Sequence, residues 1–355
     1  MKSRRLTKGM IVWISVSSAL IALLLAVTLI LTCNSFVYNT FNSIFGDERF
    51  THVSGNPDDY IYYTADYKTK EDALAAANSF NERICEEGFV LLENKNDALP
   101  LAKGSKVTVF GNNSVDLVIG GSGSNAGTSG DGDTKTLYSG LTEAGLEYCP
   151  DMKTFYEDSG VVRPNEPGMG SIVTGFPISE LPADKYDDEL LDKASAYGDA
   201  AIAVISRIGG EGFDLPRTMF WNGRSYDDPS WSGTEKVPGA ASVDSHYLEL
   251  DENEKALLAL LKEQKAKGTF EKVIVLINSS SPIEAGFLKD EGVDAALWIG
   301  HPGNSGAQAI GRVLCGDVNP SGRTVDTYAA DFTKDPTWNN FGNNREKDGN
   351  RYTTD

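Results

Sequence analysis

The chain has 355 residues, 40% hydrophobic and 10% aromatic, enough for one large globular domain or two small ones. Its formal net charge of −19 argues against nucleic acid as a partner, because neutralising phosphates takes clustered Lys and Arg. The four cysteines (Cys33, Cys85, Cys149 and Cys315) form no C-x-x-C pair, which leaves neither a zinc site nor a disulfide framework to expect.

The N-terminus departs from this acidity. Residues 1–9 form a basic tail with Lys2, Arg4, Arg5 and Lys8, and no charged residue occurs from Ile11 to Cys33. At about 1.5 Å rise per residue such a run spans a hydrocarbon core of roughly 30 Å. Residues 10–33 are therefore expected to be a single transmembrane signal anchor, with the tail cytoplasmic and the acidic bulk outside the cell membrane. A cleavable signal peptide is the competing reading, but its apolar core is usually about 7–15 residues and no A-x-A site follows here. Residues 34–69, aromatic and polar without sustained periodicity, are expected to form a juxtamembrane stalk.

A helix is expected next, in "KEDALAAANSFNERICEEGFVLLEN", with Leu74, Ala77, Phe80, Ile84 and Val90 at near-helical spacing and Gly88 ending or interrupting it. Short apolar runs then alternate with helical patterns. The runs at 106–111, 200–206, 272–278 and 294–300 are almost continuous in Val, Ile, Leu and Ala, as in parallel strands covered on both faces. Helices are expected at 136–145, 187–197, 251–267 and 304–315. In the third, Asp251 caps, Glu254 completes a capping box, and Leu257, Leu258 and Leu261 form the apolar face. Cys85 and Cys315, both apolar-flanked, are expected as buried free thiols, and 146–186, with several Pro and Gly, as an insertion loop. The repetition predicts an α/β fold, an open, mostly parallel sheet flanked by helices, which binds ligands beyond the carboxyl ends of its strands.

Several motifs compete for that edge. "GGSGSNAG" contains Gly121-x-Gly123-x-x-Ala126, but it does not follow its strand directly and lacks a downstream acid, so a loop near a polar ligand is preferred to a nucleotide site. No nucleophile elbow accompanies His246 or His301, and His301 is expected to line the cleft at another strand end. In "SRIGGEGFDLP", Glu211 sits between glycines directly after the strand at 200–206, with Arg207 and Asp214 beside it. The aromatic cluster around Trp221 suits the apolar faces of sugar rings, or else packs back on the domain.

Taken together, "EEGFVLLENKNDALPL", "SRIGGEGFDLP", "VIVLINSSSPIE" and "VDAALWIGHPGNSGAQAIGRVLCGDVNPSGRTVDTY" resemble the α/β-sandwich domain of glycoside hydrolase family 3, over roughly residues 70–330. The resemblance implies a retaining exo-β-glycosidase of the β-glucosidase type, acting on oligosaccharides or glycosides without cofactor or metal. It implies Glu211 as general acid/base. Arg207, Asp214, Trp221 and His301 are candidate sugar contacts by their places in the chain, although Arg207 could instead hold the loop through an ion pair or be exposed, and Asp214 could cap a turn. Asp214 matches the family loop, whereas Leu215 replaces its basic residue. The family nucleophile is an aspartate in an "SDW"-like motif of a (β/α)8 barrel, and neither it nor the sugar-binding "KH" pair occurs in these residues. The expected arrangement resembles permuted members in which the sandwich precedes the barrel. Residues 331–355 would lead towards that barrel, supplied in cis or in trans. The alternative is a surface module that binds carbohydrate or a partner without catalysis.

Overall fold

The computed structural model describes residues 7–33, 66–121, 134–159, 180–209, 220–221, 235–236 and 245–338. The chain divides into two compact units, Met1–Asp66 and Tyr67–Asp355. In the first, α1 (Lys8–Cys33) is one continuous helix. Its stretch Lys8–Leu29 is long and apolar enough to cross a membrane, and none of it is buried.

The second unit runs, in chain order, α2 (Lys70–Gly88), β1 (Val90–Asn94), β2 (Lys106–Phe110), α3 (Leu137–Glu143), β3 (Glu147–Tyr148), α4 (Pro150–Glu157), α5 (Asp188–Ser195), β4 (Ala200–Arg207), β5 (Phe220–Trp221), β6 (Glu235–Lys236), α6 (Glu252–Ala266), β7 (Val273–Ser279), β8 (Ala295–Trp298) and α7 (Ala307–Leu314). Six strands form one sheet in the order β1-β8-β7-β4-β2-β3. All neighbours in it are parallel except β1, which pairs antiparallel with β8. The sheet is thus mixed, with its single antiparallel strand at one edge.

Side-chain alternation divides each strand between two cores. Ile202, Val204, Ile274 and Leu276 face one core with Leu137 and Leu141 of α3 and Ile310 and Val313 of α7. Ala203, Ile205, Val275 and Ile277 face the other with Met152 of α4, Leu191 of α5 and Leu257 and Leu261 of α6. Every residue of β4 and β7 is buried, which is why these strands read as unbroken apolar runs. The two layers close on tight contacts. α3 and α7 meet at Gly140 and Gly311, where a Cβ on Gly140 would lie 2.2 Å from the Ala307 carbonyl oxygen.

Three expectations are corrected. The helix at 70 ends at Gly88, because Phe89 is extended and Val90–Asn94 pair with β8, so Val90 lies on a strand rather than on the helical face. The segment 146–186 is more than a loop: Pro150 occupies the first helical turn of α4, and Met152 and Tyr156 anchor that helix in the second core. Cys85 and Cys149 are buried free thiols, but Cys315 is only half-buried. The capping box on α6 forms as the sequence suggests. Asp251 accepts from the Glu254 backbone N–H at 2.7 Å, and Glu254 returns the bond to the Asp251 N–H at 2.9 Å.

Candidate active-site rim

The topology singles out one edge of the sheet. From β2 the chain moves outward to β3, then crosses back over β2 to enter β4 on its other side, and continues to β7 and β8. Strand order therefore reverses between β2 and β4, the position at which open α/β sheets characteristically take ligands. Gly111, immediately after β2, has φ +104, and a Cβ on it would lie 2.4 Å from the Val204 carbonyl oxygen of β4. Only glycine lets the chain turn so close to the neighbouring strand.

The end of β4 is fixed by Arg207, which is 3% exposed. Its Nε donates to the Tyr247 carbonyl at 2.6 Å, and Nη1 donates to the Ser206 carbonyl and Glu254 Oε1, both at 2.7 Å. Nη2 donates to the Glu249 carbonyl at 2.5 Å and to Glu254 Oε2 at 2.7 Å. These bonds use all five guanidinium N–H donors. Burial works against the Arg207 cation, but the adjoining Glu254 carboxylate outweighs it and raises the pKa further. Arg207, expected among the sugar contacts, therefore has no donor left for a hydroxyl; it positions the strand end instead. Tyr247 fastens the same turn from its other end, its hydroxyl accepting from the Ile208 N–H at 2.6 Å.

His301 does come to this edge. It follows Gly300 at the carboxyl end of β8, and its Nε2 lies 3.1 Å from the Arg207 carbonyl oxygen and 3.3 Å from the Ser280 N–H nitrogen. The imidazole thus touches the ends of both β4 and β7. His246 has a framework role: Nε2 lies 3.1 Å from Glu284 Oε1, and Nδ1 accepts from the Leu248 N–H at 3.2 Å. Trp221 lies in β5, whose backbone pairs it with Glu235 of β6. Glu211 and Asp214 lie outside the described residues, as does the part of "GGSGSNAG" after Gly121.

Two buried polar groups of the rim carry no motif. Glu180 accepts from the Asn112 N–H at 2.9 Å, from the Leu181 N–H at 2.7 Å and from the Tyr186 hydroxyl at 2.8 Å, tying the chain before α5 to the turn after β2. Burial pushes its carboxyl up to about 7, although those three donors pull the other way. Asn278 is the last residue but one of β7 and is 0% exposed. The only sequence signal for it is a polar residue ending the apolar run "VIVLI". Among the described residues, no group of three or more His, Cys, Asp or Glu side chains could hold a metal ion. A cavity of about 350 Å³ between α6 and the segment before β8 has Lys255 and Lys262 in its lining. Both lysines are already matched to carboxylates, of Glu249 and Glu252 and of Asp290 respectively.

Helix layers on both faces of a mostly parallel sheet, with a polar rim at its reversal point, define an α/β-sandwich domain. Residues 89–355 match the family model described as the glycosyl hydrolase family 3 C-terminal domain. The chain belongs to glycosyl hydrolase family 3, and its second unit is the family's C-terminal-type domain. It is 31% identical over 269 residues to a beta-glucosidase from Ruminococcus albus, covering 75% of this chain and 25% of that protein. It is 31% identical over 292 residues to beta-glucosidase A from Butyrivibrio fibrisolvens, covering 79% and 32% respectively. The solved structure of beta-glucosidase 3B from Thermotoga neapolitana in complex with glucose superposes with a TM-score of 0.56 at 25% identity, over 79% of this chain and 34% of that one. The chain thus spans a quarter to a third of the length of these relatives.

Proposed function

We propose that this chain supplies the acid/base half of a membrane-anchored, retaining exo-β-glycosidase of the β-glucosidase type, with Glu211 as the proton donor and acceptor. The observation that carries this reading is the anchoring of the β4 end at the strand-order reversal. Arg207, Glu254 and Tyr247 hold the point from which the "GGEG" segment departs. Only Gly210 separates Gly209 from Glu211, and at about 3.8 Å per trans peptide the acid is tethered close to that edge.

The chemistry needs a second carboxylate. A barrel aspartate attacks the anomeric carbon while Glu211 protonates the departing oxygen; Glu211 then takes a proton from the water that hydrolyses the glycosyl-enzyme. Net retention requires the two carboxyls to lie about 5–5.5 Å apart. The flanking glycines let the loop approach a sugar closely, and excluding water raises the acid's pKa towards that of a proton donor. Asp214, Trp221 and His301 are proposed sugar contacts, His301 because it shares the β4 edge. The length and apolarity of α1 support an anchor that holds the enzyme at the outer face of the cell membrane.

The test is hydrolysis of an aryl β-glucoside by this chain joined to a family 3 barrel, with and without Glu211→Gln. Activity with retained anomeric configuration that collapses in the variant supports the proposal. Saturable sugar binding without hydrolysis in any form would favour a carbohydrate-binding surface module.

A further inference from the structure

Asn278, at the carboxyl end of β7, is fully buried and takes no part in the proposed chemistry. Its Nδ2 donates to the Val118 carbonyl at 2.9 Å and to the Gly300 carbonyl at 2.7 Å. Its Oδ1 accepts from the Val118 N–H at 2.8 Å and from the Ser206 hydroxyl at 3.0 Å. A primary amide has two donor hydrogens and two acceptor lone pairs, and all four are engaged.

These bonds do not serve β7 itself. They join the loop after β2, the end of β4 and the turn after β8, three segments distant in sequence that all bond to this one amide. Val118 commits both of its backbone groups to it, so one side chain takes the place of a neighbouring strand where the chain has already left the sheet. Ser206 adjoins Arg207, and Gly300 adjoins His301, whose ring reaches back to the Arg207 carbonyl. Val118, Ser206 and Gly300 are thereby set against one another through a single rigid group.

We propose that Asn278 is the positioning residue of the rim: it fixes the loop after β2 and the Gly300–His301 turn relative to the β4 end from which the Glu211 segment departs. The proposal rests on reading this rim as the acid/base side of a glycosidase site. Asn278 acts through its neighbours and touches no reacting atom. Among the other side chains only glutamine carries the same two donors and two acceptors, and its extra methylene displaces the amide from these contacts. Aspartate keeps the shape and the acceptors but turns a buried carboxylate on two carbonyl oxygens, and leucine keeps the volume but leaves every contact unpaired.

Hydrogen exchange on the full chain tests this directly, with wild type, Asn278→Asp, Asn278→Ala and the milder Ser206→Ala. In both Asn278 variants, peptides spanning 112–119 and 298–303 should exchange about tenfold faster or more, while peptides within α6 keep their protection. Ser206→Ala, which removes one bond of the four and stays folded should the Asn278 variants not, should loosen the β4 end and leave the Val118 amide protected. An even rise across the unit, or no change at the rim, would overturn the proposal. In the barrel-joined protein, Asn278→Asp should lower kcat about tenfold or more with KM within about twofold, as a displaced acid requires. Equal loss of active fraction and no change in kcat per active site would mean a purely structural role. Because the exchange readout needs no activity, failure of the glycosidase reading would not be mistaken for failure of this one.

Discussion

In β4 and β7 every side chain is buried, and the polar ones sit at the carboxyl end: Ser206, Arg207, Asn278 and Ser279. Helix α2 does the opposite along its whole length. It buries only Cys85 fully, turns Leu74, Phe80 and Ile84 outward at 46%, 60% and 54% exposure, and packs through its polar residues. Asn81 donates to the Pro302 carbonyl and the Ser305 hydroxyl, while Glu82 and Glu86 hold Arg312 of α7. In β4 and β7, hydrophobicity marks the inside and the first polar residue marks the carboxyl end of the strand. In α2 the inward face is chosen by specific hydrogen bonds, and apolar spacing points to the wrong side. An exposed apolar stripe is informative where an exposed single leucine is not.

The contrast is sharpest at Arg207. Replacing it with leucine leaves Glu254 as an uncompensated buried charge and should cost about 3–5 kcal/mol in thermal or denaturant unfolding. Adding Glu254→Leu to that variant should restore much of the loss. A cost below about 1 kcal/mol would show that the β4 end is held by its strand partners alone.

Glu180 adds a pH dependence to the same rim. Its folded value of about 7 lies above the ordinary 4.5. Its contribution is therefore fully present below about pH 4.5 and is lost as pH rises through about 7, a difference of about 3 kcal/mol. Burial and the neighbouring Glu254 charge raise Asp251 in the same sense. Stability measured across this window should fall with rising pH, and Glu180→Gln should flatten the slope. An unchanged slope in that variant would assign the effect elsewhere.

The smallest effects probe α2. Asn81→Ala should cost about 1–3 kcal/mol, because Ser305 and the Pro302 carbonyl lose a partly buried partner. Phe80→Ser should stay within about 0.5 kcal/mol. The reverse order would mean that the outward face, not the inward one, carries the packing of this helix.

Most of the layered fold is legible in the sequence because parallel strands covered on both faces leave scarcely a polar position between their ends, Thr108 of β2 being the exception, and because Asp251 and Glu254 spell a capping box. The edge strand β1 is not, since "FVLLEN" continues a helical spacing and only pairing with β8 decides its state. Helix α4 is masked by the prolines and glycines around it. At the rim, position along the chain points to His301, while the Glu211 segment lies outside the described residues. Position does not reveal that Arg207 spends every donor on the protein, because Glu254 lies 47 residues away. Asn278 is hidden for a similar reason: its partners are three distant segments, and no local spacing records them.

The central claim is that Glu211 is the acid/base, and leaving-group dependence tests it most directly. In the barrel-joined protein, Glu211→Gln should lower turnover of a methyl or cellobiosyl substrate by about 10²–10⁴-fold, because the departing oxygen needs a proton. Glycosyl-enzyme formation from a dinitrophenyl glycoside, whose leaving group departs unaided, should scarcely change. An equal loss on both substrates, or normal turnover of the poor one, would contradict the assignment.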